Sequence, residues 1–167
     1  MRDVAFSPAG DSFAFCSHNS TVSFVDVVGG PESAQTVRMS ELPLTRIVYL
    51  PDGSLVGAGH SYDPVVFART AGGWKVAGKL SGAKKAEEKK GNFANAKNMF
   101  LNQTQTGSAV ASEKLTSLHQ NQVCGLQLYG AAFQGQPFEF TTTALDGRIV
   151  FWSRDEITSA MSAIAIS

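Results

Sequence analysis

The strongest constraint on the fold of this chain is that it repeats itself. Ser7 to His18 reads SPAGDSFAFCSH and Leu50 to His60 reads LPDGSLVGAGH. Each is a Pro-x-Gly turn (Pro8 to Gly10, Pro51 to Gly53), then an apolar run, then a small residue and a histidine. His18 and His60 stand 42 positions apart, and a short turn and a second apolar run follow each: Thr21 to Val25 and Pro64 to Phe67. A third copy lies near the C-terminus. There Phe138 to Ala144 is rich in Phe and Thr, Leu145-Asp146-Gly147 makes a turn, and Arg148 to Trp152 is the returning run. With Asn19, Ser61 and Asp146 taken as the turn positions, Val25, Phe67 and Trp152 each follow six residues later.

A period near 42 residues supplies four short antiparallel strands with their turns, which is one blade of a β-propeller. The third copy, with Asp146-Gly147, Ile149 and Trp152, has the D-G-x-I-x-x-W pattern of a WD40-type inner hairpin. Asp, Asn and Gly suit the tight turn. A carboxylate there can accept hydrogen bonds from nearby backbone N–H groups and from a His or Ser of the same blade. The Trp ending the third strand packs between neighbouring blades. First strands are expected at Val4 to Phe6, Arg46 to Tyr49 and Val123 to Tyr129, and outer strands at Gln35 to Arg38 and Trp74 to Ala77. The fold class is therefore all-β, with about three blades: 1–40, 41–80 and 120–153. The last has no obvious outer strand. Three blades do not close a ring, since propellers use four to eight. The chain is expected to be part of a longer protein; the alternative is stacking on copies of itself.

Residues 81–119 break the pattern. They carry a Lys/Glu run at Lys84 to Lys90, then Phe93, Ala96, Phe100 and Leu101 at helical spacing, then a Gln/Thr/Ser/Gly stretch. This reads as a long insertion bearing one short amphipathic helix over 92–102. Its apolar residues either fold back onto the propeller or project as a docking helix for a partner groove. The tail, 154–167, begins with a short helix from Arg154 with acids in its first turn. Its Ile157, Ala160, Met161 and Ile164 are placed to pack on the last blade.

Composition removes several function classes. With 14 basic and 14 acidic residues the formal net charge is zero, which disfavours a duplex nucleic-acid or anionic-membrane binder. No apolar run approaches the length of a membrane span, and no secretory signal is expected in MRDVAFSPAGDS. Cys16 and Cys124 are too far apart and too few for a disulfide scaffold or a zinc site, and fit a reducing compartment. His18 and His60 occupy equivalent repeat positions, so a structural turn role outweighs catalysis. His119, beside the strand that re-enters the last blade, reads as a hydrogen-bonded structural histidine. No HExxH, nucleophile-elbow, P-loop or dinucleotide pattern is present, so no enzyme, metal or cofactor is expected.

These residues together resemble the C-terminal part of the subunit 1 family of the actin-related protein 2/3 complex. The landmarks are V-A-F-S-P-A-G-D at Val4 to Asp11, S-H-N-S-T-V at Ser17 to Val22, and S-L-V-G-A-G-H with P-V-V-F at Ser54 to His60 and Pro64 to Phe67. M-F-L-N at Met99 to Asn102, S-L-H-Q-N-Q-V at Ser117 to Val123 and T-T-A-L-D-G-R-I-V-F-W at Thr142 to Trp152 complete the series. Asn19 and Ser61 stand where the pattern has Asp, and Ser153 follows Trp152 in place of Asp. The resemblance implies the last three blades of a seven-bladed propeller. It also implies a cytoplasmic, non-enzymatic scaffold of the actin cytoskeleton. Its partners would be the other subunits of the complex, actin and nucleation-promoting activators. Carried over to this chain, the partner-binding residues are Phe93, Met99, Phe100 and Leu101, docking into an actin-type hydrophobic cleft. A WD40 scaffold or adaptor of another assembly, such as a vesicle coat or ubiquitin ligase, is the alternative.

Overall fold

The computed structural model describes residues 1–81, 117–130, 132–133, 136–137 and 139–162. They form three antiparallel sheets of one design, a minor hairpin and one helix. The first sheet runs in the order β1 (Asp3–Phe6), β2 (Ser12–Ser17), β3 (Thr21–Asp26), β4 (Gln35–Arg38). The second repeats it with β5 (Leu44–Tyr49), β6 (Leu55–Gly59), β7 (Val65–Thr70), β8 (Gly73–Lys79). The third pairs β9 (Val123–Leu128), β12 (Phe140–Ala144) and β13 (Ile149–Trp152), with a two-stranded hairpin of β10 (Ala132–Phe133) and β11 (Gln136–Pro137) between β9 and β12. Helix α1 (Arg154–Ser162) closes the described chain. This mostly-β, blade-like architecture is that of a partial WD40 propeller. No helix among the described residues is long and apolar enough to cross a membrane.

The repeat in the sequence is a repeat in register. The pairs Ser17 with Thr21, Gly57 with Val65 and Thr143 with Ile149 centre the three inner hairpins on Asn19, Ser61 and Asp146. Val25, Phe67 and Trp152 therefore lie opposite Phe13, Leu55 and Phe140 at the same level of their sheets. The Pro-x-Gly turns share a reason as well: Gly10 and Gly53 sit at φ of 73° and 83°, where a side chain is disfavoured.

Because strand side chains alternate, each sheet has a front face, towards the preceding blade position, and a back face. The back of the first sheet (Ala14, Cys16, Val22, Phe24) packs on the front of the second (Ile47, Tyr49, Leu55, Val65, Phe67, Trp74), forming one buried cluster. Phe24 stacks on Trp74 with ring centroids 4.0 Å apart and planes 5° from parallel. The back of the second sheet (Val56, Ala58, Val66, Ala77) packs on the front of the third (Val123, Leu126, Phe140, Trp152), forming the other. Each cluster removes a dozen side chains from water, which is the main stabilising term of the stack. Polar bonds fix how the sheets align: Asp3 Oδ2 accepts from Ile47 N at 2.9 Å, and Thr45 Oγ1 donates to the Val123 carbonyl at 2.8 Å. Gln35 accepts from the Trp74 N–H at 2.8 Å and donates to its carbonyl at 3.2 Å, so one side chain satisfies both backbone groups of an outer strand.

Helix α1 begins with the Glu156 carboxylate reaching back to Ser153, the carboxylate half of a capping box. Ser153 N and Oγ both donate to Glu156 Oε2, at 2.8 and 3.0 Å. The helix does not settle mainly on the last sheet, as its apolar spacing predicts. It lies along β7 and β8 of the second sheet. Ile157 is buried in the cluster between the second and third sheets, with Ala160 and Met161 packed against it. Arg154 reaches Asp52 of the second sheet at 3.0 Å. Ile164 lies outside the described residues.

Candidate functional site

The third sheet carries a buried polar network at its front face. Thr142 and His119 are fully buried, and Trp152 nearly so. Trp152 Nε1 donates to Thr142 Oγ1 at 2.9 Å, and Thr142 Oγ1 lies 2.7 Å from His119 Nε2. On the other side of the imidazole, Nδ1 stands 3.6 Å from Asp146 Oδ1, beyond hydrogen-bond length. A carboxylate facing Nδ1 favours a proton on that nitrogen. Nε2 is then the acceptor and the Thr142 hydroxyl donates to it. This assigns the tautomer from the network. Asp146 also accepts from Gln120 N at 2.7 Å and from Arg148 N at 3.0 Å. The chain Trp152, Thr142, His119, Asp146 thus ties strand β13, strand β12, the segment before β9 and the β12–β13 turn together.

The electrostatics follow from burial and these bonds. Burial holds the His119 imidazole below its ordinary pKa, and Asp146 offsets this only in part. The N–H groups of Gln120 and Arg148, with His119, hold the Asp146 carboxyl below the usual carboxylate range. At neutral pH the pair is a neutral imidazole beside a carboxylate. That is a positioning device: its groups point at one another, inside the interface between the second and third sheets.

The other repeat positions are differently equipped. His18 is exposed, with Nδ1 3.4 Å from an Arg2 guanidinium nitrogen. Asn19 Oδ1 accepts from Thr21 Oγ1 at 2.7 Å. His60 is half-buried, and its Nε2 is enclosed with no hydrogen-bond partner. Ser61 Oγ accepts from Leu42 N at 2.9 Å, tying the second hairpin to the chain before β5 much as Asp146 ties the third to the chain before β9. Of the residues singled out in the sequence, the structure brings His119, Asp146 and Trp152 into one network, and adds Thr142, which sequence reasoning missed. The middle hydroxyl of the F-E-F-T-T-T run gives no signal until the register is known, because Thr141, Thr142 and Thr143 alternate between faces. Phe93, Met99, Phe100 and Leu101 lie outside the described residues.

The network also fixes where that segment rejoins the sheets. Its described flanks converge on one interface: Leu80 is buried in the cluster between the second and third sheets, and Leu118 packs against the same cluster. Leu80 N donates to the Pro64 carbonyl at 2.9 Å, and Arg148 donates to the Leu118 carbonyl at 2.8 Å. Among the described residues no group of three or more His, Cys, Asp or Glu side chains could hold a metal ion.

No protein-family model matches the chain. Among curated proteins it is 29% identical to actin-related protein 2/3 complex subunit 1 of Schizosaccharomyces pombe, over 92% of this chain and 45% of that protein. It is 27% identical to subunit 1B of Arabidopsis thaliana, over 92% of this chain and 42% of the relative. It is 28% identical to subunit 1B-A of Xenopus laevis, over 99% and 44%. The chain spans less than half the length of these relatives, and it is homologous to actin-related protein 2/3 complex subunit 1 over most of its own.

Proposed function

We propose that the chain serves as part of a propeller subunit of an actin-related protein 2/3 complex in the cytoplasmic actin cytoskeleton. It is a non-enzymatic scaffold that supports nucleation of branched filaments, and the other subunits are its permanent partners. The observation that carries this reading is the match over nearly the whole chain to subunit 1 proteins from a fungus, a plant and a frog. The blade architecture suits the role, since stacked sheets offer broad rigid rims and no reactive centre.

Within that scaffold, the segment between Leu80 and Ser117 is the contact arm for actin or for activators. Phe93, Met99, Phe100 and Leu101 are its apolar anchors, entering a hydrophobic cleft as an amphipathic helix does. A few buried aromatic anchors can dominate such an interface. Support comes from the helical spacing of Phe93, Ala96, Phe100 and Leu101 and from the flanks: both ends of the arm are held at one interblade junction, so the arm works from a fixed base.

The test is to tag the chromosomal gene at its C-terminus, purify the product gently and identify its partners by mass spectrometry. Two actin-related proteins and a set of small subunits in fixed ratio are expected. A product that brings down no actin-related protein sinks the scaffold reading. The arm is tested separately with Phe100→Ala/Leu101→Ala in the purified complex. Assembly should be unchanged and branched nucleation in a pyrene-actin assay at least tenfold slower. Unchanged nucleation would remove the arm from the mechanism and leave the scaffold standing.

A further inference from the structure

The tight turn of the second blade carries groups that its own chain does not use. In the third blade, Asp146 accepts from Gln120 N and Arg148 N and faces His119; in the first, Asn19 accepts from Thr21. In the second blade Ser61 accepts from Leu42 N, but the residues beside it are left unmet. Among the described residues, the Asp63 carboxylate accepts no hydrogen bond, and the Tyr62 side chain has neither a hydrogen bond nor a ring partner. His60 Nε2 is enclosed and likewise unbonded. This turn belongs to the blade that has a sheet of the same chain packed on each of its faces.

Both unmet surface groups are costly to keep. The position after the turn residue is left-handed in all three blades, at φ of 61° for Ser20, 66° for Tyr62 and 76° for Gly147. Glycine takes that conformation freely, whereas a large aromatic residue is strained in it. Such strain is characteristically retained where it presents a group for contact. Asp63 is half-buried, and burial pushes its carboxyl up; Lys79 draws it down and Glu41 raises it. Lys79 is committed to Glu41 at 2.6 Å, so two carboxylates share one ammonium and the corner holds an unpaired negative charge. Leu42, 58% exposed, borders the turn through its bond to Ser61.

We infer that this corner is a docking point for an arginine side chain of a partner protein segment, with the guanidinium stacked on Tyr62 and paired with Asp63. A guanidinium is flat, so it stacks on an aromatic face, and its fork of N–H donors matches a carboxylate. The ammonium of lysine is a point charge and meets only half of that demand. The apolar residue next to the arginine rests on Leu42, which gives the contact a dry edge. Tyrosine and arginine are both enriched where proteins meet. The donor set does not suit a metal ion, since among the described residues no three His, Cys, Asp or Glu side chains gather. The inference does not rest on the actin reading.

The full-length protein is titrated into a fluorescein-labelled pentapeptide with blocked ends, Ala-Leu-Arg-Leu-Ala, and binding is read by anisotropy. Peptides with lysine or citrulline in place of arginine should bind at least fivefold more weakly, the first for lack of the plane and the second for lack of the charge. Asp63→Asn should weaken the arginine peptide at least tenfold. Tyr62→Gly should weaken it as well and yet raise the urea midpoint, because glycine relieves the left-handed strain. A purely structural tyrosine would lose stability on that change. Circular dichroism checks that the variants fold; Asp63→Ser replaces Asp63→Asn if that variant does not. No saturable binding up to about 1 mM peptide overturns the inference. So does a lysine peptide that binds equally well, or unchanged affinity in the Asp63 and Tyr62 variants. Agmatine that competes as strongly as the peptide would mark a small-molecule site and overturn the assignment to a protein partner.

Discussion

Gly57 and Thr142 occupy the same level of the second and third sheets, each inside a front face covered by the sheet before it. The surroundings diverge from there. Around Gly57, Leu44 and Ile47 fill the space that a side chain would take, and Phe67 is the large ring above. The turn residue is Ser61. The side chains that pack around it are apolar. Around Thr142, the ring is Trp152, the turn residue is Asp146, and His119 enters from the chain before β9. One register therefore supports two solutions, close packing and a directional polar network. The difference follows from what each must hold. The chain before β5 arrives directly from β4, a few residues upstream. The chain before β9 is separated from β8 by residues 80–122 of the sequence, with no short connection to set its position. Hydrogen bonds fix geometry more narrowly than apolar contact does, because each bond has a direction. The second blade needs cohesion, and the third needs cohesion plus an anchor.

The largest break in the comparison is Trp152→Ala. It opens a cavity between sheets and strips a partner from Thr142, and should cost about 3–5 kcal/mol in urea unfolding. Phe67→Ala should fall in the same range of about 3–5 kcal/mol, since both rings are buried at the same level. The variants should differ in what is lost with stability. Trp152→Ala should raise amide exchange in residues 117–122, and Phe67→Ala should leave them protected. Equal exchange in both would mean that the network anchors nothing.

Transplanting the hydroxyl tests the apolar solution. A Cβ added at Gly57 would overlap Leu44 Cδ1, so Gly57→Thr should destabilise by about 1–3 kcal/mol through overpacking. Adding Leu44→Ala should recover part of that loss and show coupling of at least about 0.5 kcal/mol in a double-mutant cycle. Strict additivity of the two changes would show that Leu44 is not what fills the position.

Acid should separate the two regions next. His119 has a folded pKa held below its unfolded value, so its contribution is complete above about 6.5 and is lost as pH falls through the folded value. The unfolded chain takes up that proton first, giving a loss approaching about 1.4 kcal/mol per pH unit in that window. Asp146 acts in the same sense lower down, below the ordinary carboxylate value of 3.8. Asp63, pushed up by burial, acts in the opposite sense, so a matched His119→Gln variant is the control. The wild-type slope between pH 6.5 and the folded value should exceed that of the variant. Identical slopes would mean that His119 is not the titrating group.

The two solutions are unequally legible in the sequence. Period-two alternation and Pro-x-Gly turns carry local information, so the hairpin centres at Asn19, Ser61 and Asp146 can be read from spacing alone. Asp146 and Trp152 are visible because their pattern is contiguous. His119 can be marked as a structural histidine, but its partners cannot be named: the bond to Thr142 spans 23 positions and exists only once β9 and β12 pair. The gap at Gly57 is hidden for the same reason, since Leu44 reaches it across a strand pair. Helix α1 shows the limit most plainly. Its apolar spacing says that one face is buried, but not that β7 and β8 of the second sheet lie under it.

That helix belongs to both regions, starting where the third sheet ends and lying on the second, so its cap is the finest probe of how tightly they are joined. Ser153→Ala removes the hydroxyl that bonds Glu156 but keeps the backbone N–H that bonds the same carboxylate. The bond from the backbone N–H to the carboxylate survives, and the cost should be about 1 kcal/mol or less. Arg154→Ala should cost less still, because the Arg154–Asp52 pair is partly solvated and such pairs contribute about 0–1 kcal/mol. The helix is held by the buried Ile157 side chain, and its ends only tune how it begins. If Arg154→Ala proves the more damaging of the two in urea unfolding, the ion pair rather than the apolar face docks α1 on the second sheet. The join between the blades would then weaken with added salt, which the apolar clusters would not.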